Sequence, residues 1–138
     1  MKLPVFVVGI LLLTGQRQTQ QTFNVRLTPV PIDTAMRATV TGKGSATATL
    51  VGNKLSVNGA FEGLQSPATF ARLHESKVTG TRGTAFADLE ISKAVTGSIA
   101  GAITLTAEQI ESLRKGRFYI QIHSEKAPDG NLWGWLLR

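Results

Sequence analysis

Few residues in this chain can do chemistry, and their types settle much of what it can be. There are two histidines and no cysteine, which removes disulfides, thiolate metal sites and a cysteine nucleophile. His74 and His123 could put imidazole nitrogens on a copper or zinc ion, with help from Glu75, Glu125 or Asp129. The competing reading has each imidazole hydrogen-bonded within a sheet, His123 reaching across to Asn131. A serine hydrolase would need a serine on a strained elbow beside a histidine, and no G-x-S-x-G is present. Ser124 directly follows His123, so in a strand it points to the opposite face. Glu75, Asp88, Glu90 and Asp129 are scattered over strand ends and loops, which is not the paired arrangement of a glycosidase. The glycines fall at turns rather than in a phosphate-cradling loop. These residues read as a non-enzymatic protein with no resident cofactor, copper or zinc being the one alternative.

A second group suits binding rather than catalysis. In "RFYIQIHSEKAPDGNLWGWLLR", Arg117 to Arg138, apolar and polar residues alternate, break at Pro128-Asp129-Gly130, and alternate again. That is the period-2 pattern of two strands joined by a turn. Phe118, Ile120 and Ile122 then share a face with Leu132, Gly134 and Leu136. The other face carries Tyr119, Gln121, His123, Asn131, Trp133 and Trp135. If exposed, its aromatics could stack on sugars or anchor a protein partner; if covered by a loop or helix, the tryptophans belong to the core. The candidate binding face comprises Arg72, Tyr119, Gln121, Trp133 and Trp135, with His74 and His123 as the candidate metal ligands.

The elements that position these residues read as short strands. "TFNVRLTP" alternates Phe23, Val25 and Leu27 with polar residues and stops at Pro29 and Pro31. "TAMRATV" is open between a loop and a short strand. "GSATATLVGNKLSVNGAF" is a hairpin whose turn is Gly52-Asn53, and Gly59 and Gly63 suggest a bulge or crowded backbone. "PATFARLHES" is a strand with Ala71 and Leu73 on one face and Phe70, Arg72 and His74 on the other. After the loop "TGTRGT" come two further strands, "AFADLEIS" and "GSIAGAITL". Thr106 and Gln109 form a capping box that opens a short helix to Lys115, buried through Ile110 and Leu113 and stopped by Gly116. The expected architecture is an all-β sandwich or closed barrel with one short helix.

At 138 residues the chain allows one domain. Met1-Lys2 is followed by an apolar run from Leu3 to Leu13. At about 1.5 Å per residue that run spans roughly half of a bilayer core of about 30 Å, so it reads as a signal peptide. The expected division is a leader at residues 1–15, a polar linker at 16–21 and a single domain at 22–138. Cleavage would leave no stable membrane span and a secreted or periplasmic product, and an uncut leader would act as an anchor. The charge of +6 is scattered without a basic stripe, so nucleic acid is not an expected partner. It suits solubility and weak attraction to acidic surfaces such as anionic polysaccharide.

Four stretches resemble the chordin-type (CHRD) domain: "GSATATLVGNKLSVNGAFEGL", "ATFARLHES", "GSIAGAITLTAEQIESLRKGRFYIQIH" and "APDGNLWGWL". The family pattern has a glycine-rich hairpin, an Ala-His-Ile-His strand, a "Y-V-N-V-H-T" strand and a closing "P-G-G-E-I-R-G-Q-L". The resemblance runs from Phe23 to Leu137. It implies a secreted or surface domain with an immunoglobulin-like Greek-key barrel similar to copper/zinc superoxide dismutases; the expected partner, a protein or polysaccharide, rests on the aromatic face and the charge. In those enzymes a His-x-His strand and a later strand end furnish copper ligands, and here "RLH" and "IQIHSEK" stand in the equivalent places. Arg72 replaces the first histidine of that pair, and there is no third histidine to bridge to zinc. Dismutation needs a redox-active copper held by several imidazoles, so the resemblance does not extend to that activity.

Overall fold

The computed structural model describes residues 19–138. The leader reading, and the first residues of the linker, lie outside the described residues. Eight strands run β1 Gln20–Pro29, β2 Lys43–Val51, β3 Lys54–Glu62, β4 Ala68–Glu75, β5 Thr84–Ile91, β6 Gly97–Thr104, β7 Phe118–Ser124 and β8 Ala127–Trp135, with one helix, α1, at Ala107–Arg114 between β6 and β7. All pairings are antiparallel, and the strands close into a barrel in the order β1-β2-β3-β6-β5-β4-β7-β8. Among the described residues no helix is long and apolar enough to cross a membrane.

The inward rows follow from the alternation. Phe23, Val25 and Leu27 of β1, Ala46, Ala48 and Leu50 of β2, and Phe118, Ile120 and Ile122 of β7 are all buried in one core. Burying each large apolar side chain contributes about 1.5 to 3 kcal/mol, against a spread of about 1 kcal/mol in strand propensity. The apolar phase therefore decides which face of each strand turns inward. The hairpin β2–β3 turns at Gly52-Asn53 with Val51 opposite Lys54, as its sequence predicts. No register shift interrupts its ladder, so Gly59 marks crowding, not a bulge.

Two connections cross over opposite ends of the barrel. The β3–β4 link is tied to the β5–β6 turn by Leu64 N donating to Val95 O and Ala68 N to Ala94 O. The β6–β7 link contains α1, whose capping box is formed: Gln109 N donates to Thr106 Oγ1 at 3.1 Å and Thr106 N to Gln109 Oε1 at 2.9 Å. Leu113 is fully buried against the core and Ile110 partly so.

Three local readings are corrected. Gln20 and Gln21 belong to β1, paired with Val51 and Leu50, so the linker does not extend through residue 21. "TAMRATV" holds neither a strand nor plain loop: Thr34–Met36 is a 3₁₀ turn capped by Asp33. The β7–β8 turn lies at Glu125-Lys126, with Ser124 opposite Ala127, rather than at Pro128-Asp129-Gly130. Its position is fixed from outside the hairpin, where Glu125 N donates to Pro67 O and Lys126 N to Ser66 Oγ.

The barrel closes where β1 meets β8 through the pairs Thr28↔Trp133 and Pro29↔Leu132. A Cβ at Gly134 would lie 2.5 Å from Arg26 O and 2.6 Å from Val25 Cγ1, so only glycine lets the first and last strands approach this closely. Gly134→Ala is expected to lower stability by about 1 to 3 kcal/mol, as overpacking does. Urea unfolding of the variant beside the parent checks this.

Candidate functional site

The outward face of β4, β7 and β8 carries the aromatic and titratable residues singled out in the sequence. Its rows follow from the register: His74 lies opposite Tyr119 and Tyr119 opposite Trp135, while Arg72 lies opposite Gln121 and Gln121 opposite Trp133. Phe70 pairs with His123. The rings use these pairings. His74 stacks on Tyr119 at 4.6 Å between centroids, and Phe70 stacks on His123 at 4.1 Å. Tyr119 touches both indoles, at 5.5 Å to Trp133 and 4.6 Å to Trp135.

The expected open face is partly covered. Tyr119 is 1% exposed and Gln121 3%, so neither can meet a ligand directly. The cover over Tyr119 is the β4–β5 loop. Gly83 N donates to Tyr119 Oη at 2.9 Å. A Cβ at Gly83 would collide with the carbonyl of Glu75, so the chain passes here only as glycine. The neighbouring Arg82 places its guanidinium carbon 5.7 Å from the Trp133 ring centre, a cation–π distance. On its other side Trp133 packs against the small cluster of Val30, Val40 and Ala127, joined by Ile32 and Met36. Trp133 and Trp135 are thus half-buried, and they meet edge to face at 5.6 Å and 68°. They form a stepped ledge between the two flanking segments. Arg72 is exposed, with Nε 3.2 Å from Asp88 Oδ1 and its guanidinium over Phe70.

The two histidines share a face but lie in different rows: His74 pairs with Tyr119, which stands four residues before His123 on β7. They are near enough for the charge of one to act on the other, His123 lowering the His74 value. Stacking holds each ring beside its own partner, and Arg72 occupies the row between them. His123 Nδ1 lies 2.8 Å from Pro128 O, so that nitrogen carries the proton, and Nε2 accepts from Gln121 Nε2 at 3.1 Å. The expected partner Asn131 is engaged elsewhere: it accepts from Ser124 Oγ at 2.7 Å and donates to Thr41 O at 2.8 Å. His74 Nδ1 lies 3.3 Å from Gly83 O, and its Nε2 is buried without a hydrogen-bond partner among the described residues. Among the described residues no group of three or more histidines and carboxylates is placed to hold a metal ion.

The CHRD domain family model matches residues 13–136. The chain belongs to the CHRD domain family. No curated protein and no solved structure matches it. In this CHRD domain the two stretches the resemblance singled out, "RLH" and "IQIHSEK", lie on the neighbouring strands β4 and β7, and the residues that cover the face come from the β4–β5 loop. Arg82 and Gly83 were readable only as part of the polar loop "TGTRGT". Nothing local announces that this loop folds back over a tyrosine 36 residues further on.

Burial is the largest effect holding both imidazoles below their ordinary value of 6.5; His123 acts in the same direction on His74, and the positive charges of Arg72 and Arg82 on both. The acceptors Gly83 O and Pro128 O, and Asp129 near His123, oppose it without prevailing. The native state therefore prefers neutral rings, and below pH 6.5 the unfolded chain binds more protons than the folded one. Stability is expected to be complete above about pH 6.5 and to fall as the pH drops toward the native-state values. Urea midpoints at pH 7.5 and 5.5 check this, the lower midpoint being expected at 5.5; a His74→Gln/His123→Gln variant should flatten the difference.

Proposed function

We propose that this CHRD domain is an exported, non-enzymatic binding module that recognises a polysaccharide of the envelope or extracellular space through Trp133 and Trp135. The observation that carries the reading is the ledge itself, two half-buried indoles held at a fixed angle on a fully buried tyrosine. Rigid aromatic surface of this kind loses little entropy on contact and suits the flat faces of sugar rings. Tyr119 and Gln121 act as its foundation, and Arg72 and Arg82 stand at its edges. Export is supported by the apolar run from Leu3 to Leu13 behind Lys2. A Greek-key barrel of the immunoglobulin-like or superoxide dismutase-like kind is supported by the placement of β7 beside β4, outside the hairpin-connected β4, β5 and β6.

Affinity electrophoresis of the full chain through gels carrying neutral or acidic polysaccharides tests the binding reading. Retardation is expected in at least one gel, weakened about tenfold or more in Trp135→Ala and in Trp133→Phe, in keeping with aromatic anchors. Intrinsic fluorescence should shift on binding. Retardation by no polysaccharide, or retardation unchanged in both variants, would overturn it.

The alternative of a copper or zinc site has against it the different rows of His74 and His123 and the stacking of each ring on its own partner, since nitrogens about 2.0 Å from one ion must turn toward it together. Titration with either metal is expected to give no saturable one-to-one binding that a His74→Ala/His123→Ala variant loses. Such binding, if found, would move the function to metal handling.

A further inference from the structure

Beside the ledge lies a cleft of about 560 Å³ at the end of the barrel, lined by the β4–β5 loop, the start of β5 and the entry to β7. Lys77, Arg82 and Arg117 line it, together with Phe86 as an apolar wall and Glu75 as the one carboxylate. Among the described residues none of the three cations has a carboxylate within 4.0 Å; the ion pairs are Arg72–Asp88 and Arg114–Glu111. Unpaired like charges gathered in one cleft repel one another, and an anion relieves that repulsion.

The cleft is also held in shape. Thr79 Oγ1 donates to Gly116 O at 2.6 Å, Ser76 N to Arg117 O at 2.9 Å, and Gly83 N to Tyr119 Oη at 2.9 Å. These bonds fasten the loop to the strand end that supplies Arg117. Arg82 belongs to both surfaces, because it lines the cleft while its guanidinium lies over Trp133 and Nη1 sits 3.5 Å from Gln121 Oε1. Cleft and ledge therefore form one continuous surface, apolar at one end and cationic at the other.

Resting on the polysaccharide reading of the ledge, we propose that Lys77, Arg82 and Arg117 form an anion subsite, and that the combined surface takes a carboxylated polysaccharide, a polymer of uronic acids. Sugar faces lie on the indoles, and the ring carboxylates meet the arginines, whose planar forks match a carboxylate in two-point contact. A polymer with one charge on each sugar can bring carboxylates to a cleft lined by three cations.

The test uses the full chain in gels containing polygalacturonate, its methyl ester, dextran sulfate or neutral dextran. The expected result is retardation by polygalacturonate that weakens about tenfold on esterification and with added salt, as lost charge-assisted contacts require. A Lys77→Gln/Arg117→Gln variant, which leaves Arg82 over Trp133, should lose most of that factor on polygalacturonate and nothing on the ester. Its near-ultraviolet circular dichroism and urea midpoint establish that it is folded, and a single Arg117→Gln change serves if the double variant is not. Equal retardation by acid and ester would overturn the anion subsite and leave the ledge standing. Stronger retardation by dextran sulfate would overturn the carboxylate assignment. Absence of retardation by polygalacturonate would overturn the subsite, and the neutral gels with the tryptophan variants then show whether the ledge fails as well.

Discussion

Every residue of β7 is buried, and much of the rest of the structure answers that constraint. A strand covered on both faces is ordinarily apolar throughout. Here one face is, through Phe118, Ile120 and Ile122, while the other presents a phenol, an amide and an imidazole. Leaving such groups without partners costs about 1 to 3 kcal/mol each, so each must be met by something brought from elsewhere. The β4–β5 loop meets Tyr119. The β8 segment at Pro128 and Asp129 supplies backbone carbonyls for His123 and Gln121. The parts that cover the strand are the parts that shape the surface above it.

This explains why the outer face divides into a floor and a working layer. Tyr119, Gln121 and His123 hold a fixed polar floor, in which His123 is locked to one tautomer by Pro128 O and Gln121. Above them the indoles and arginines keep part of their area in water. Arg72 holds an exposed ion pair with Asp88, which contributes little to stability, so its worth is to be sought in what it meets rather than in what it holds together.

The sequence made the inward rows and the hairpin β2–β3 legible because both rest on local signals, alternation and a Gly52-Asn53 turn. The capping box at Thr106 was legible for the same reason. The β7–β8 turn was misplaced because Pro128-Asp129-Gly130 has good turn chemistry, and only contacts from Ser66 and Pro67 show that another pair of residues does the turning. The candidate face was found in outline, since period 2 puts Tyr119, Gln121, Trp133 and Trp135 together. Its exposure was not legible, because the cover over Tyr119 comes from a loop that pattern alone leaves without a destination. Whether His74 and His123 meet was equally a matter of register, which no single strand displays.

The seam between β1 and β8 joins the first strand of the barrel to the last. A ring completed by its first and last strands cannot be completed while the chain is still being made, because β8 has not yet arrived. Loop-closure entropy across nearly the full length must be met before that contact is rewarded, which places this topology among slow folders. Until then β1 keeps an open edge. The closed ring, once formed, gives every strand two neighbours, which leaves less edge for strand-by-strand association with other chains.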